Sequence, residues 1–145
     1  DAIRVDLAAG NKRQLLNQLS QIAASRLSFD PSEIADAIAE RERLGSTGFG
    51  GGVAIPHGKL DMIDRVYAMV VRLAAPIDYK AIDGQPVDLA FLLLSPPDAG
   101  AEHLKALAAV SRLVRHGGIV EKLRGARTRD AMAAVLIGAE ERDAA

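Results

Sequence analysis

Apolar positions in the first part of the chain repeat with the period of an α-helix. Leu15, Leu19, Ile22 and Ala23 recur at intervals of three and four residues, and this spacing places their side chains on one helical face. The pattern predicts an amphipathic helix over residues 11–26.

A capping signal follows this first pattern. Asp30-Pro31-Ser32-Glu33 provides an N-cap, a proline at the first helical position and an acidic residue at the third. We therefore predict a second helix over residues 31–44, with Ile34 and Ile38 facing inward, that stops at Gly45.

Three later segments are short, apolar and rich in β-branched residues, namely Val53–Ile55, Val66–Leu73 and Val87–Leu94. Continuous apolar runs of this length, bounded by turn residues, are typical of strands that are buried on both faces. We predict three strands in this part of the chain.

Helical patterns return in the last third of the chain. They predict a long helix over residues 101–116, a short one over 119–123 and a last one over 129–138. The inward positions expected on the long helix are Leu104, Leu107, Ala108 and Leu113. The order α-α-β-β-β-α-α predicts an α/β fold, in which a mixed β-sheet lies between helices in a single domain over residues 1–145.

Composition narrows the possible functions. The 145 residues are 49% hydrophobic, carry a net charge of −1, include only 3% aromatic residues and contain no cysteine. Such a chain is long enough for one well-formed core, but it lacks basic blocks and aromatic stacking platforms for nucleic acid. The absence of cysteine excludes disulfides, thiolate zinc sites and a cysteine nucleophile. We expect no nucleic-acid partner.

No segment has the features of a membrane span or a signal peptide. The longest apolar run, Val87–Leu94, is interrupted by Asp88 and is much shorter than the roughly 20 residues that cross a bilayer. The N-terminus lacks a basic segment followed by an apolar one. We expect a soluble, cytoplasmic protein with no membrane insertion.

A glycine-rich segment leads to one histidine. Gly45, Gly48, Gly50, Gly51 and Gly52 precede Pro56-His57-Gly58. Glycine permits positive φ angles and close backbone approach to a ligand, and successive N–H groups in such turns form anion sites. This predicts a phosphate-binding loop at Gly48, Gly50, Gly51 and Gly52, and phosphoryl chemistry on His57. Gly58, which has no side chain, is expected to keep His57 approachable by another molecule.

Two nucleotide-binding motifs do not fit this segment. A P-loop ending in Gly58-Lys59 would require glycine at position 53, where Val53 stands, and a hydroxyl residue at position 60, where Leu60 stands. The dinucleotide fingerprint also fails. The remaining alternative is a mobile surface turn with an incidental histidine.

The other histidines are His103 and His116. The three histidines have no i, i+4 pair on one helix and no cysteine partners, so metal binding is weakly supported. His103 shares a predicted helix face with apolar Leu107, Val110 and Val114, which leaves open a hydrogen-bonded histidine at the edge of the core. We interpret His116 as structural or solvated.

Two segments resemble a known family. Residues 41–60, RERLGSTGFGGGVAIPHGKL, strongly resemble the signature of type 2 enzyme IIA domains of the bacterial phosphoenolpyruvate-dependent phosphotransferase system, the fructose–mannitol and nitrogen-regulatory class. Residues 81–97, AIDGQPVDLAFLLLSPP, followed by His103-Leu104, are similar to its second characteristic stretch. The resemblance covers nearly the whole chain, and it implies a mixed sheet between helical layers.

The resemblance also implies roles for particular residues. His57 is then the phosphorylated residue, through Nε2, while His103 and Arg41 contact the phosphoryl group. By pattern alone, Arg41 near the end of the second helix is a solvated charge. No metal or nucleotide cofactor is implied. Gly51 departs from the family, because many relatives carry asparagine or another polar residue there.

The expected donor is a phosphorylated HPr-type carrier, docking on apolar surface around Phe49, Val53 and Ile55. Gly58 is then expected to leave room for the donor's own histidine. The alternative for Phe49 is a loop anchor buried in the core. Downstream, the chain looks most like the nitrogen-regulatory branch, whose phosphorylation state controls binding to regulatory target proteins. Two alternatives remain: a sugar-specific enzyme IIA that passes phosphate to an enzyme IIB cysteine, and a binding module of the same fold that is never phosphorylated.

Overall fold

The computed structural model describes residues 2–115 and 118–144, and every structural statement here concerns these residues. The strands and helices follow one another in the order β1 (Ala2–Leu7), α1 (Lys12–Leu27), α2 (Pro31–Arg43), β2 (Gly48–Gly50), β3 (Val53–Ala54), β4 (His57–Lys59), β5 (Tyr67–Ile77), β6 (Val87–Ser95), α3 (Gly100–Arg115), α4 (Ile119–Gly125) and α5 (Arg129–Ala144). None of the helices in these ranges is both long and apolar enough to cross a membrane.

The strands form one mixed sheet in the order β1-β5-β6-β3-β2, and β4 also pairs with β6. The central pair, β5 and β6, is antiparallel. In contrast, β1 runs parallel to β5, and β3 and β4 both run parallel to β6, one after the other along it. The chain from β3 to β4 therefore follows the length of β6.

The central strand β6 is buried on both faces. Leu92 and Leu94 belong to the core cluster that includes α1 and α2, whereas Phe91 and Leu93 belong to the cluster that includes residues of α4 and α5. Side chains alternate between the faces of a strand, so a strand between two helical layers is apolar throughout. The predicted α/β fold, with a mixed sheet between helices, is confirmed.

The predicted cap of α2 is present, and α1 has a cap that was not predicted. The Asn11 side chain accepts a hydrogen bond from the backbone of Gln14 at the start of α1, and that of Asp30 accepts one from Ser32 at the start of α2, with Pro31 in the first turn. These bonds satisfy N–H groups that have no partner within the helix. Both helices begin within one residue of the predicted positions.

Sequence analysis missed β1, β2 and β4. The first is an edge strand whose apolar residues alternate with Arg4 and Asp6, and the other two have three residues each. Strands this short depend on partners that are distant in the sequence, so local pattern did not reveal them. The last helix, α5, also extends beyond residue 138, where the prediction ended.

The expected inward face of α3 was partly wrong. Leu104 is 67% exposed, and Ala108 is also exposed. The face of α3 that packs against the core is instead the one that contains His103, Leu107 and Val110. His116, interpreted as structural or solvated, lies outside the described residues.

Candidate active site

His57 is the first residue of β4 and pairs with Leu93 of β6. Its Nδ1 atom lies 2.8 Å from the carbonyl oxygen of Ile55. A carbonyl oxygen can only accept a hydrogen bond, so Nδ1 must carry the proton. In the neutral ring this leaves Nε2 with a lone pair, which makes Nε2 the nucleophilic nitrogen.

Arg41 lies in the last turn of α2 and reaches this lone pair. Its Nε–H group donates to Nε2 of His57 over 3.1 Å, and its Nη1 group donates to the carbonyl oxygen of Gly45 over 3.0 Å. Arg41 is therefore a half-buried partner of His57 and not a solvated helix charge. Its cationic group lies where a phosphoryl group on Nε2 would place negative charge.

His103, in the first turn of α3, lies against the same imidazole. The two ring centroids are 5.4 Å apart and the ring planes are inclined at 50°. His103 is only 9% exposed, and its Nδ1 atom lies 2.5 Å from the hydroxyl oxygen of Ser95 at the end of β6. The structure thus brings His57, His103 and Arg41 together from three different elements.

Both imidazoles are held in the neutral form. Burial lowers the pKa of His57, and the charge of Arg41 acts in the same direction, while the carbonyl hydrogen bond and the charge of Glu42 oppose them. Burial also lowers the pKa of His103, with further contributions from His57 and Lys59. Since histidine ordinarily titrates near pH 6.5, a lowered pKa keeps His57 unprotonated and nucleophilic at neutral pH.

A buried carboxylate supports the segment next to Arg41. The side chain of Glu42 is only 6% exposed and forms an ion pair with Lys12 at 2.8 Å. It also accepts hydrogen bonds from the hydroxyl groups of Thr47 and Tyr79 and from the backbone of Thr47. Sequence analysis missed this network, because the sequence around Glu42 does not show that Lys12 and Tyr79 fold against it.

The turn formed by Gly50, Gly51 and Gly52 does not lie next to His57. Gly52 accepts hydrogen bonds from the backbone of Asp88 and Leu89 at the beginning of β6, whereas His57 pairs with Leu93. Five residues of strand separate Asp88 from Leu93, about 16 Å at about 3.3 Å per residue. The structure therefore places the predicted loop of Gly50, Gly51 and Gly52 away from the site that it was expected to serve.

These glycines have another physical role. Gly51 and Gly52 adopt φ angles of 64° and 84°, a region that favours glycine. The N–H of Gly51 donates to Asp83 over 2.9 Å, so it is already occupied. A β-carbon on Gly52 would lie 2.2 Å from Nη2 of Arg124, and one on Gly48 would lie 2.6 Å from Ala81. Close packing accounts for Gly48 and Gly52.

Two of the expected docking residues are buried. Val53 and Ile55 are 2% and 5% exposed, because β3 lies between β2 and β6 in the sheet and both side chains join the core on the face of α4 and α5. Phe49 is half-buried and packs against that core, with the Arg115 guanidinium 5.5 Å from its ring centroid. The expected docking surface around Val53 and Ile55 is therefore incorrect.

The missing side chain of Gly58 also has a packing role. Gly58 is buried, and a β-carbon there would lie 3.1–3.2 Å from atoms of Ala37 in α2. Residues on a strand alternate between its faces, so Gly58 faces α2 while His57 faces the side of His103. The space next to Gly58 is filled by the protein itself and not kept for a donor histidine.

Comparison with known proteins agrees with this geometry. Residues 1–138 match the model of the family described as phosphoenolpyruvate-dependent sugar phosphotransferase system, EIIA 2. A nitrogen regulatory protein of Bradyrhizobium diazoefficiens is 45% identical over 136 residues, which cover 94% of this chain and 89% of that protein.

Solved structures with the same fold include another nitrogen regulatory protein. The crystal structure of nitrogen regulatory protein IIA-Ntr from Neisseria meningitidis superposes with a TM-score of 0.87 at 32% identity, and 92% of each chain is covered. Enzyme IIA of the mannitol system from Escherichia coli, solved in complex with phosphorylated enzyme IIB, has a TM-score of 0.79 at 16% identity over 94% of each chain. At that identity the likeness concerns the fold alone.

Proposed function

The chain belongs to the EIIA 2 family of the phosphoenolpyruvate-dependent phosphotransferase system, and on this premise we propose that it is a phosphohistidine carrier with a mainly regulatory role. His57 accepts the phosphoryl group from an HPr-type carrier protein. The observation that supports this most directly is the tautomer of His57, in which the carbonyl of Ile55 holds the proton on Nδ1 and leaves the Nε2 lone pair toward Arg41. We propose a cytoplasmic location, where such a donor system works.

The transfer of the phosphoryl group to His57 is described by one bond that forms and one that breaks, and neither a metal nor a nucleotide takes part. The Nε2 lone pair of His57 forms a bond to phosphorus while the bond between phosphorus and the donor's nitrogen breaks, and the donor ring recovers that electron pair. The proton on Nδ1 stays hydrogen-bonded to Ile55, so the product ring is a phosphoimidazolium. Its positive charge makes the ring a good leaving group, which preserves the capacity for onward transfer.

Arg41 and His103 stabilise the charge on the transferred group. Arg41 has to release Nε2 before the attack, because its Nε–H group occupies the lone pair. Its guanidinium is then free to bind phosphoryl oxygens in a charge-assisted fork. His103, whose ring centroid lies 5.4 Å from that of His57, provides a neutral donor. Phosphoryl transfer depends mainly on such positioning and electrostatic stabilisation.

Two exposed apolar residues, Leu44 and Leu104, are close in the sequence to residues of this site, and they are 83% and 67% exposed. Leu44 directly precedes Gly45, whose carbonyl binds Arg41, and Leu104 directly follows His103. We propose that the HPr-type donor docks on these two side chains in place of the buried Val53 and Ile55. Burying an exposed leucine side chain in an interface removes its apolar surface from water, which is favourable by about 1.5–3 kcal/mol.

Replacing Leu104 with serine should slow phosphorylation by the donor. A lost contact of about 1.4 kcal/mol lowers the second-order rate constant about tenfold, while the rate at saturating donor changes little, because Leu104 does not touch the reacting atoms. Rapid-quench measurements over a range of donor concentrations separate these two quantities. Ile137→Ser is the matched control, since Ile137 is 54% exposed on α5, which packs on β1 at the far edge of the sheet. Equal rates for both variants would contradict this docking surface.

The regulatory role is favoured over sugar uptake by similarity and by charge. The chain is 45% identical to a protein named for nitrogen regulation, against 33% for a fructose-specific EIIA component of Haloferax volcanii. Phosphorylation adds about −1.5 to −2 charges next to the exposed Leu44 and Leu104. A target protein that binds this apolar surface would have to desolvate the new charge, so phosphorylation should release it.

The proposed role is tested by offering the phosphorylated chain to enzyme IIB domains of the fructose and mannitol types. We expect slow transfer to both, and we expect target proteins captured from the source organism to bind the unphosphorylated form at least tenfold more tightly, a difference of about 1.4 kcal/mol. Rapid transfer to either IIB cysteine would replace the regulatory role with sugar uptake and leave His57 as the carrier. A chain that is never phosphorylated by the HPr-type donor would instead be a binding module.

A further inference from the structure

Ser95 occupies a junction between the sheet and the active-site helix α3. It is the last residue of β6 and is completely buried. Its carbonyl oxygen accepts a hydrogen bond from the backbone of Leu60 over 2.8 Å, which ties the end of β6 to the residue after β4. The next residue, Pro96, restricts Ser95 to an extended backbone conformation. The backbone of Ser95 is therefore held in place by the sheet.

That hydroxyl group has one hydrogen-bond partner among the described residues, the Nδ1 atom of His103 at 2.5 Å. A buried hydroxyl that donates to nothing loses the hydrogen bond that it would make to water, at a cost of about 1–3 kcal/mol. Buried donors in proteins are accordingly almost always satisfied. The Ser95 O–H group therefore donates and Nδ1 of His103 accepts.

This direction determines the state of the neutral His103 ring. With its lone pair on Nδ1 engaged, His103 carries its proton on Nε2. His57 has the opposite arrangement, since the carbonyl of Ile55 keeps the proton on Nδ1. One ring thus offers a lone pair at Nε2 and the other an N–H donor at Nε2, with the ring centroids 5.4 Å apart.

We propose that Ser95 is a positioning residue that holds His103 in the Nε2–H tautomer, so that His103 donates a hydrogen bond to the phosphoryl group on His57. The proposal rests on the proposed function of His57 for its last step only. The tautomer itself is a property of the unphosphorylated chain. The opposite tautomer would direct a lone pair toward the phosphoryl oxygens and would repel them.

The tautomer is tested by long-range ¹H–¹⁵N NMR spectra of the ¹⁵N-labelled, unphosphorylated chain at a pH at which both rings are neutral. We expect the wild-type spectrum to show an unprotonated Nδ1 and a protonated Nε2 for His103, and the reverse for His57. Ser95→Ala should shift His103 toward a mixture of tautomers and leave His57 unchanged. Ser95→Thr, which keeps the hydroxyl group, should restore the wild-type pattern for His103. A wild-type His103 protonated on Nδ1 would overturn the proposal.

Kinetics test the consequence for transfer. Ser95→Ala should slow phosphorylation of His57 about fivefold to tenfold, the effect of one neutral hydrogen bond, and Ser95→Thr should recover most of that loss. Ser95→Ala should add nothing when it is combined with His103→Ala, because Ser95 acts on transfer only through His103. The matched control is Ser111→Ala, which changes a half-buried serine about two helical turns beyond His103 in α3. Equal effects of Ser95→Ala and Ser111→Ala would reduce Ser95 to a packing role.

The two tests separate the possible failures. If wild-type His57 accepts no phosphoryl group, the proposed function is wrong, yet the spectra still determine whether Ser95 sets the tautomer. If phosphorylation proceeds and the tautomer of His103 is insensitive to Ser95→Ala, only the role of Ser95 is refuted. Thermal unfolding of each variant verifies that the fold is retained, and Ser95→Thr is the second variant should the alanine variant fail to fold.

Discussion

Replacing His57 with glutamine is expected to abolish phosphorylation of this chain. Glutamine is polar and of similar size, but its amide nitrogen has no lone pair that can attack phosphorus. The hydrogen bonds to Ile55 and Arg41 involve one side chain at the edge of the core, so the fold should be retained. Incubation with phosphoenolpyruvate, enzyme I and an HPr-type carrier, followed by mass spectrometry of the intact chain, should show one acid-labile phosphoryl group on the wild type and none on the variant.

His103→Gln is the matched control, because it changes the neighbouring imidazole in the same way. This variant should still gain one phosphoryl group on His57, with a loss in rate smaller than the roughly 10²–10³ that usually follows the loss of one positioned donor, because the glutamine amide still carries N–H donors. If His57→Gln were phosphorylated to the wild-type extent, the phosphorylated residue would be another one. If His103→Gln alone were inactive, the roles of the two histidines would be reversed.

The sequence predicted the large elements because their signals are local. The periodicity of α1 lies within the helix itself, and the predicted cap of α2 is formed by Asp30, whose side chain is close to the N–H group that it satisfies. The apolar run of β6 predicted its burial on both faces. The short strand β4 has no such signal, because it exists only through its pairing with β6.

Arg41 and His103 were predicted for the site by family resemblance, because pattern alone favoured a solvated charge and a core-edge histidine. The pattern contained part of the answer, since His103 is indeed hydrogen-bonded at the edge of the core. Ser95 was missed because its importance depends on α3 packing against the end of β6. One signal was present: a small polar residue directly follows the apolar run of residues 89–94 and precedes Pro96.

The glycine-rich segment was misinterpreted because composition does not determine position. Glycine is required where φ is positive, as at Gly51 and Gly52, or where side chains approach closely, as Arg124 approaches Gly52. A phosphate-binding loop would show the same residues. The pairing of β3 and β4 along β6 decides between these roles, since it places the turn about five residues of strand away from His57, or about 16 Å.

Replacing Arg41 with alanine should slow phosphorylation of His57 by about 10²-fold, although two opposing effects are involved. Removing the Nε–H group frees the Nε2 lone pair, and the loss of one hydrogen bond of about 1 kcal/mol corresponds to about a fivefold gain in rate. Removing the cation withdraws a charge-assisted donor from the transferred phosphoryl group, at a cost of about 10²–10³ in rate. The loss of the cation therefore dominates. Arg41→Lys should be intermediate, because lysine keeps the charge but lacks the planar fork.

The same substitution should change the pH dependence in a defined direction. The charge of Arg41 helps to lower the pKa of His57, so the pKa should rise when that charge is removed. Only the neutral ring is nucleophilic. When the solution is acidified, the rate of phosphorylation should therefore begin to fall at a higher pH in Arg41→Ala than in the wild type. Rate–pH profiles of the wild type, Arg41→Ala and the exposed control Arg43→Ala, in the same helical turn, measure this shift directly. The control should match the wild type. An Arg41→Ala variant with the wild-type rate and profile would show that Arg41 only restrains the unphosphorylated ring.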